Sequence, residues 1–213
     1  MIISHKYKFV FIHIYKNAGT FVTNLIKKLD PDAIDVRDIH GIGHQKYVDI
    51  CKMDIFDKIK HYTFFVVIRN PVDQIISTYN FIIKKNYIES TCTFDEFITS
   101  SKNYVDVFVS KNTSWIIDDN NNICNNIKLI DFENLQAGLT PLFLSLGIPK
   151  RTLLKASILY QTPLNVSNKY YKKNNKLMNA DWFLKLLNNS AFCKELLFYN
   201  TCVKEKKQFN FNT

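Results

Sequence analysis

The stretch Phe9–Phe21, FVFIHIYKNAGTF, decides how the rest of the chain is read. A run rich in aromatic and β-branched residues ends at His13, and the apolar positions Phe21, Val22, Leu25, Ile26 and Leu29 then recur at helical spacing. That pattern predicts a buried strand over residues 7–14, a loop carrying Lys16, Gly19 and Thr20, and a helix over residues 20–29. Strand, loop and helix in this order make a phosphate-binding layout. The helix start offers backbone N–H groups, here from Asn17 through Ala18 to Phe21, together with the positive end of its dipole. Lys16 adds a full charge, Thr20 a hydroxyl donor, and Gly19 permits close approach to the backbone. The order differs from the common Gly-Lys-Ser/Thr loop, because Lys16 precedes Gly19 and Thr20.

A second loop repeats the plan. Tyr62–Ile68, YTFFVVI, is a near-continuous apolar run of the kind found in a parallel strand covered on both faces. Arg69 follows it, and Pro71 stands where a first helical turn begins, so a helix is predicted from Pro71 to about Lys85. Ser77 falls about two turns beyond Asn70, on the helix face below the loop. An arginine and a hydroxyl converging at a helix start can hold a phosphate through charge-assisted hydrogen bonds. Two such loops on one sheet imply a ligand with two separated anionic groups.

Between the loops, residues 30–43 read as irregular, and a helical pattern runs from about His44 to Ile59. Thr93 with Glu96 has the form of a capping box, and Ile127–Phe132 reads as a strand. Residues 133–146 read as a helix kinked by Pro141 and closed by Gly147. Residues 160–176 read as loop, and two helices, 179–188 and 190–200, finish the chain. The alternation predicts a single α/β domain over residues 1–213: a parallel sheet flanked by helices, with a helical C-terminal end and ligands beyond the carboxyl ends of the strands.

Composition bounds the function. With 46% hydrophobic and 14% aromatic residues, the 213-residue chain can bury a full core. The net charge of +9 is almost wholly lysine, since Arg37, Arg69 and Arg151 are the only arginines. Such a field favours anionic partners. A dedicated nucleic-acid reader would more often use arginine forks and clustered stripes, so no nucleic-acid partner is expected. No window approaches the roughly 18 consecutive apolar residues of a membrane span. A strand pattern starts within about ten residues of Met1, which leaves no room for a signal peptide, and a cytoplasmic location is expected. The cysteines Cys51, Cys92, Cys124, Cys193 and Cys202 form no Cys-x-x-Cys pair and accompany no zinc-spaced histidines, so reduced thiols and no metal are expected. The sequons at Asn112, Asn165 and Asn188 carry little weight in so Asn-rich a chain.

Four motifs together resemble the sulfotransferase family. "HIYKNAGT", His13–Thr20, resembles its 5'-phosphosulfate loop, and "RNPVDQIISTY", Arg69–Tyr79, its 3'-phosphate loop. "LIDFENL", Leu129–Leu135, is similar to the Arg-Phe-Glu-Asn-Leu segment of the carbohydrate branch, and "HQKYVDI", His44–Ile50, to the His-led helix between the loops. The resemblance spans about Lys8 to Gly147 and implies a P-loop-type α/β fold. It also implies 3'-phosphoadenosine 5'-phosphosulfate (PAPS) as co-substrate, with Arg69 and Ser77 on the 3'-phosphate. The activity implied is sulfuryl transfer to an acceptor hydroxyl, on a glycan or another alcohol. Lys16 would stabilise charge on the leaving phosphate, and His44 would act as the base, with His40 as the alternative. His13 reads as packed within the loop and Glu133 as structural. Tyr15 replaces the usual proline, Asn17 the usual threonine, and Asp131 the usual arginine. A nucleotide-binding protein without transfer activity and a basic nucleic-acid-binding module are the competing readings.

Overall fold

The computed structural model describes residues 1–41, 43–100, 112–156 and 190–208. The expected loop over residues 160–176 and helix over 179–188 lie outside them. The chain divides into two compact units, and all of the strands fall in the first, which comprises Met1–Ile68 and the chain from Asn112 onward to a helix ending at Ala156.

Five strands, β1 (Ile2–Ser4), β2 (Phe9–Ile12), β3 (Ile34–Asp35), β4 (Thr63–Ile68) and β5 (Lys128–Asp131), form one sheet in the order β3-β1-β2-β4-β5. The expected parallel sheet is one side of it, the three strands β2, β4 and β5: β2 pairs parallel with β4, Ile12 opposite Val66, and β4 pairs parallel with β5, Ile68 opposite Asp131. The carboxyl ends of β2, β4 and β5 therefore lie at one edge. An antiparallel margin is added by β1, which pairs with both β2 and β3. Every residue of β2 and all but the first of β4 are buried, as the unbroken apolar runs require.

Helix α1 (Gly19–Leu29) buries Val22, Leu25, Ile26 and Leu29 against Phe9, Phe11 and Phe65 of the sheet. The short helix α2 (Val36–His40) follows β3 and is capped by Asp35, whose Oδ1 accepts from the Arg37 N–H at 3.0 Å. None of β1, β3 and α2 is long enough to show a period, so β1 goes unseen and residues 30–43 read as irregular. The helix expected over residues 44–59 is instead two single turns, α3 (Tyr47–Ile50) and α4 (Phe56–Ile59). Between them, N–H groups of Lys52 and Met53 bond three residues back, to Asp49 and Ile50, and the i to i−4 ladder lapses while Ile50 and Ile59 stay buried.

Helix α5 (Pro71–Lys84) follows Arg69 and Asn70, and α6 (Phe94–Ser100) carries the capping box, with the Thr93 N–H donating to Glu96 Oε2 at 2.7 Å and the Glu96 N–H to Thr93 Oγ1 at 3.2 Å. After β5 comes a 3₁₀ turn, Phe132–Asn134, then α7 (Leu135–Ser145) with Pro141 inside it. Gly147, at φ 80°, closes it: its N–H donates to Leu144 O and that of Ile148 to Phe143 O, a Schellman pattern that needs the left-handed residue. Helix α8 (Lys150–Ala156) completes the first unit, its Leu153 and Ala156 joining the core beneath α1. The second unit packs α5 and α6 with the last helix, α9 (Ser190–Gln208), around Ile75, Ile82, Phe94, Phe97 and Phe192.

Phe143 is fully buried, its ring centroid 6.0 Å from that of Phe9 and 5.9 Å from that of Phe65. Phe143→Ala is expected to lower stability by about 3–5 kcal/mol in urea unfolding of the full chain, and Phe143→Leu by clearly less.

Candidate functional site

The loop after β2 is held in a conformation that its residues would not choose alone. Lys16 and Ala18 both adopt left-handed backbone, at φ 60° and 59°, a region that costs on the order of 1–3 kcal/mol for a side-chain-bearing residue. Asn17 lies between them with 1% of its surface exposed. Its Nδ2 donates to Val67 O, at the end of β4, and to Asn112 Oδ1, each at 2.8 Å. Its backbone N–H donates to Ile14 O at 3.4 Å. Asn17, expected among the ligand-facing donors, is thus turned inward and braces the loop.

Beyond the brace the chain enters α1 at Gly19, with no side chain capping the helix. The first N–H groups of a helix have no intrahelical acceptor, so Gly19, Thr20 and Phe21 bring a helix start to the same edge as Lys16. Thr20 is exposed and Lys16 half-buried. The absence of a side chain at Gly19 serves a neighbour: a Cβ there would sit 1.6 Å from His13 Nε2. The imidazole of His13 fills that space, so the close approach that Gly19 allows is made by a histidine. His13 is packed in the loop, as its position at the strand end suggests. Burial pushes its pKa down to about 3, with the nearby His44 acting in the same direction. It is neutral at physiological pH.

His44 stands three residues ahead of α3, outside any helix, rather than opening one. Its Nδ1 lies 2.8 Å from His13 O. A carbonyl only accepts, so Nδ1 carries the proton and Nε2 of the neutral ring keeps its lone pair. Burial lowers the pKa of His44, although the bond to His13 opposes that shift. The ring stacks on Tyr15 with centroids 3.6 Å apart and planes inclined by 22°. Buried Trp115 meets it edge-on at 6.4 Å.

The glycines before His44 have structural duties. Gly41, at φ 69°, ends α2, and a Cβ on Gly43 would lie 2.1 Å from Arg37 Cδ. Arg37 is held in turn by Asp35 at 2.5 Å, and the Met1 amino group donates to Gly43 O. Gly41 thus serves a left-handed turn and Gly43 the packing of Arg37. His40 is the last residue of α2, and His44 is bonded to the loop through His13 O.

Lys16, Asn17, Ala18, Gly19, Thr20, Phe21 and His44 are therefore assembled within the first unit. Arg69 and Ser77 belong to the second. Arg69 is the residue after β4 and is 8% exposed, and Asn70 caps α5 by accepting from the Val72 N–H at 2.9 Å. Ser77 is half-buried in α5. Asp131 turns out to be a turn cap: Oδ1 accepts from the Glu133 N–H at 3.4 Å and Oδ2 from Asn134 Nδ2 at 2.7 Å. Glu133 is exposed and enters that turn through its backbone, in keeping with a structural role. Tyr15, Trp115 and Asn112 are the parts that sequence reasoning missed. Tyr15 was visible only as a departure from the family's proline.

Among the described residues, no group of His, Cys, Asp or Glu is placed to hold a metal ion, and no helix is long and apolar enough to cross a membrane. The family model of the sulfotransferase family matches residues 1–203. No curated protein and no solved structure matches the chain.

The contact between His13 and Gly19 has a signature. Gly19→Ala should lower the thermal midpoint, by an amount corresponding to about 1–3 kcal/mol of overpacking. In a His13→Ala background the same substitution should cost less. A double-mutant cycle showing strict additivity would mean that the imidazole does not occupy the space beside Gly19.

Proposed function

This chain belongs to the sulfotransferase family, and on that premise we propose that it moves a sulfuryl group from PAPS to the hydroxyl of an acceptor, with a glycan as the acceptor class. The observation that carries the reading is the bond from His44 Nδ1 to His13 O, which leaves Nε2 as a proton acceptor beside the loop that bears Lys16. A base beside the loop that carries a cation is what in-line transfer between two oxygens asks of a protein.

The residues divide the work. Lys16 and the uncapped start of α1, Gly19 to Phe21, would hold the 5'-phosphosulfate, with Thr20 donating its hydroxyl. Arg69 and Ser77 would hold the 3'-phosphate. The acceptor oxygen forms a bond to sulfur as the bond from sulfur to the bridging phosphate oxygen breaks. His44 Nε2 takes the acceptor proton, and the electron pair leaves with 3'-phosphoadenosine 5'-phosphate. Negative charge grows on that leaving phosphate, where the Lys16 ammonium opposes it. The lowered pKa of His44 keeps the imidazole unprotonated at neutral pH.

Arg69 and Ser77 should make the 3'-phosphate matter. Adenosine 3',5'-bisphosphate should bind more tightly than AMP in calorimetry, by about 1.5–3 kcal/mol for each charged hydrogen bond lost. Equal affinities would overturn the assignment of the second loop.

Lys16 and His44 should fail differently. Lys16→Ala is expected to lower kcat more than it weakens nucleotide binding. His44→Ala should leave bisphosphate binding unchanged and cut turnover by about 10²- to 10⁴-fold. In the wild type, kcat should fall as the pH drops through the depressed pKa of His44, below the ordinary imidazole value, because the protonated ring cannot accept the acceptor proton. The limb should be flat at neutral pH and absent from His44→Ala.

A further inference from the structure

We propose that Tyr15 is a positioning residue: its ring, stacked on His44, holds the imidazole in the orientation that presents Nε2 to the acceptor. The proposal rests on the reading of His44 as the base. Several contacts hold that ring, Trp115 edge-on at 6.4 Å among them. His13 O takes the Nδ1 proton at 2.8 Å and sets the tautomer. Tyr15 covers a face, centroids 3.6 Å apart at 22°. The His13 ring lies 4.3 Å away, inclined by 58°. Tyr15 is itself steadied by Trp115, edge-on at 5.9 Å.

A single hydrogen bond leaves a ring free to swing about the Nδ1 to carbonyl direction. The Tyr15 face removes that freedom, because near-parallel rings in contact lose stacking when either one turns. It also shields one side of the imidazole from water. His13 and Tyr15 both run just ahead of Lys16 in the chain, so the segment that would grip the sulfuryl donor also aims the acceptor's base. The charged and titratable groups around His44 are His13, the Met1 amino group, Arg37 and Asp35. Arg37 and Asp35 neutralise each other as an ion pair. Loss of the Tyr15 ring should therefore act on His44 through hydration and orientation, with no change in nearby charge.

The test uses the full chain with Tyr15→Phe, Tyr15→Ala and Tyr15→Leu, the last retaining bulk without a planar face. Histidine side-chain NMR on the nucleotide-free protein reads the tautomer and titration midpoint of His44, and initial rates read kcat, its pH profile and KM for PAPS. Tyr15→Phe should match the wild type in every readout. Tyr15→Ala should move the His44 midpoint up towards that of a free imidazole and shift the acid limb of kcat with it. It should also lower kcat by about tenfold while KM for PAPS stays within about twofold, the pattern of a misaimed group and not a lost ligand. Tyr15→Leu should fall between them. The proposal is overturned if Tyr15→Leu leaves the midpoint and kcat at wild-type values, or if Tyr15→Phe loses as much as Tyr15→Ala. Should His44→Ala prove fully active, the base reading falls, and the NMR midpoint alone decides whether Tyr15 orders the ring.

Discussion

The buried amide of Asn17 ties the end of one strand to the loop after another. Its Nδ2 spans Val67 O and Asn112 Oδ1, and the left-handed residues Lys16 and Ala18 stand on either side of it. That bridge helps to hold Lys16 and Ala18 in a sparsely populated backbone region. Each of its two buried bonds adds about 0.5–1.5 kcal/mol to the stability of that arrangement. The brace therefore sets where the Lys16 charge sits and where α1 begins. A threonine hydroxyl, the family's usual group here, has one proton to donate and could not make both bonds at once.

From the brace a line of dependence runs to the candidate base. The loop places His13, whose ring occupies the space that Gly19 leaves and whose carbonyl fixes the tautomer of His44. The other side of His44 is set by packing: Gly43 lies against the Arg37 stem, and Arg37 is pinned by Asp35 at the end of β3. A two-residue strand and a five-residue helix thus decide where the candidate base stands. Such short elements carry little stability of their own, and their effect comes from the ion pair and the cap that share Asp35.

How much of this was legible follows from periodicity and chemistry. Long apolar runs at β2 and β4 and the amphipathic α1 announce themselves, and Pro71, Thr93 with Glu96, and Gly147 mark their boundaries correctly because each acts through its own local backbone. β1, β3 and α2 are too short for a period to emerge. The supposed helix over residues 44–59 fails because apolar spacing alone cannot show where the hydrogen-bond ladder breaks. Lys16, Gly19, Thr20 and His44 could be named as chemistry-bearing, yet the duty of Gly19 towards His13 is set by how the loop between them folds back, and that of Asn17 by contacts 50 and 95 residues away, at Val67 and Asn112. Asp131 shows the same limit. Its sequence neighbours identify the motif, while its role as a turn cap is set by where its two oxygens point.

The burial of Asn112 bears on biosynthesis. Its amide accepts from Asn17 and the residue is wholly inaccessible, 0% exposed, although Asn112-Thr113-Ser114 spells a glycosylation signal. An oligosaccharide is attached through that same amide nitrogen and is bulky, so sugar and native loop exclude one another. A chain made in a compartment with the glycosylating machinery could be modified there only before folding, and would then be unable to close the loop around Lys16. Keeping this signal in the interior is compatible with function only where folding outruns that enzyme or never meets it.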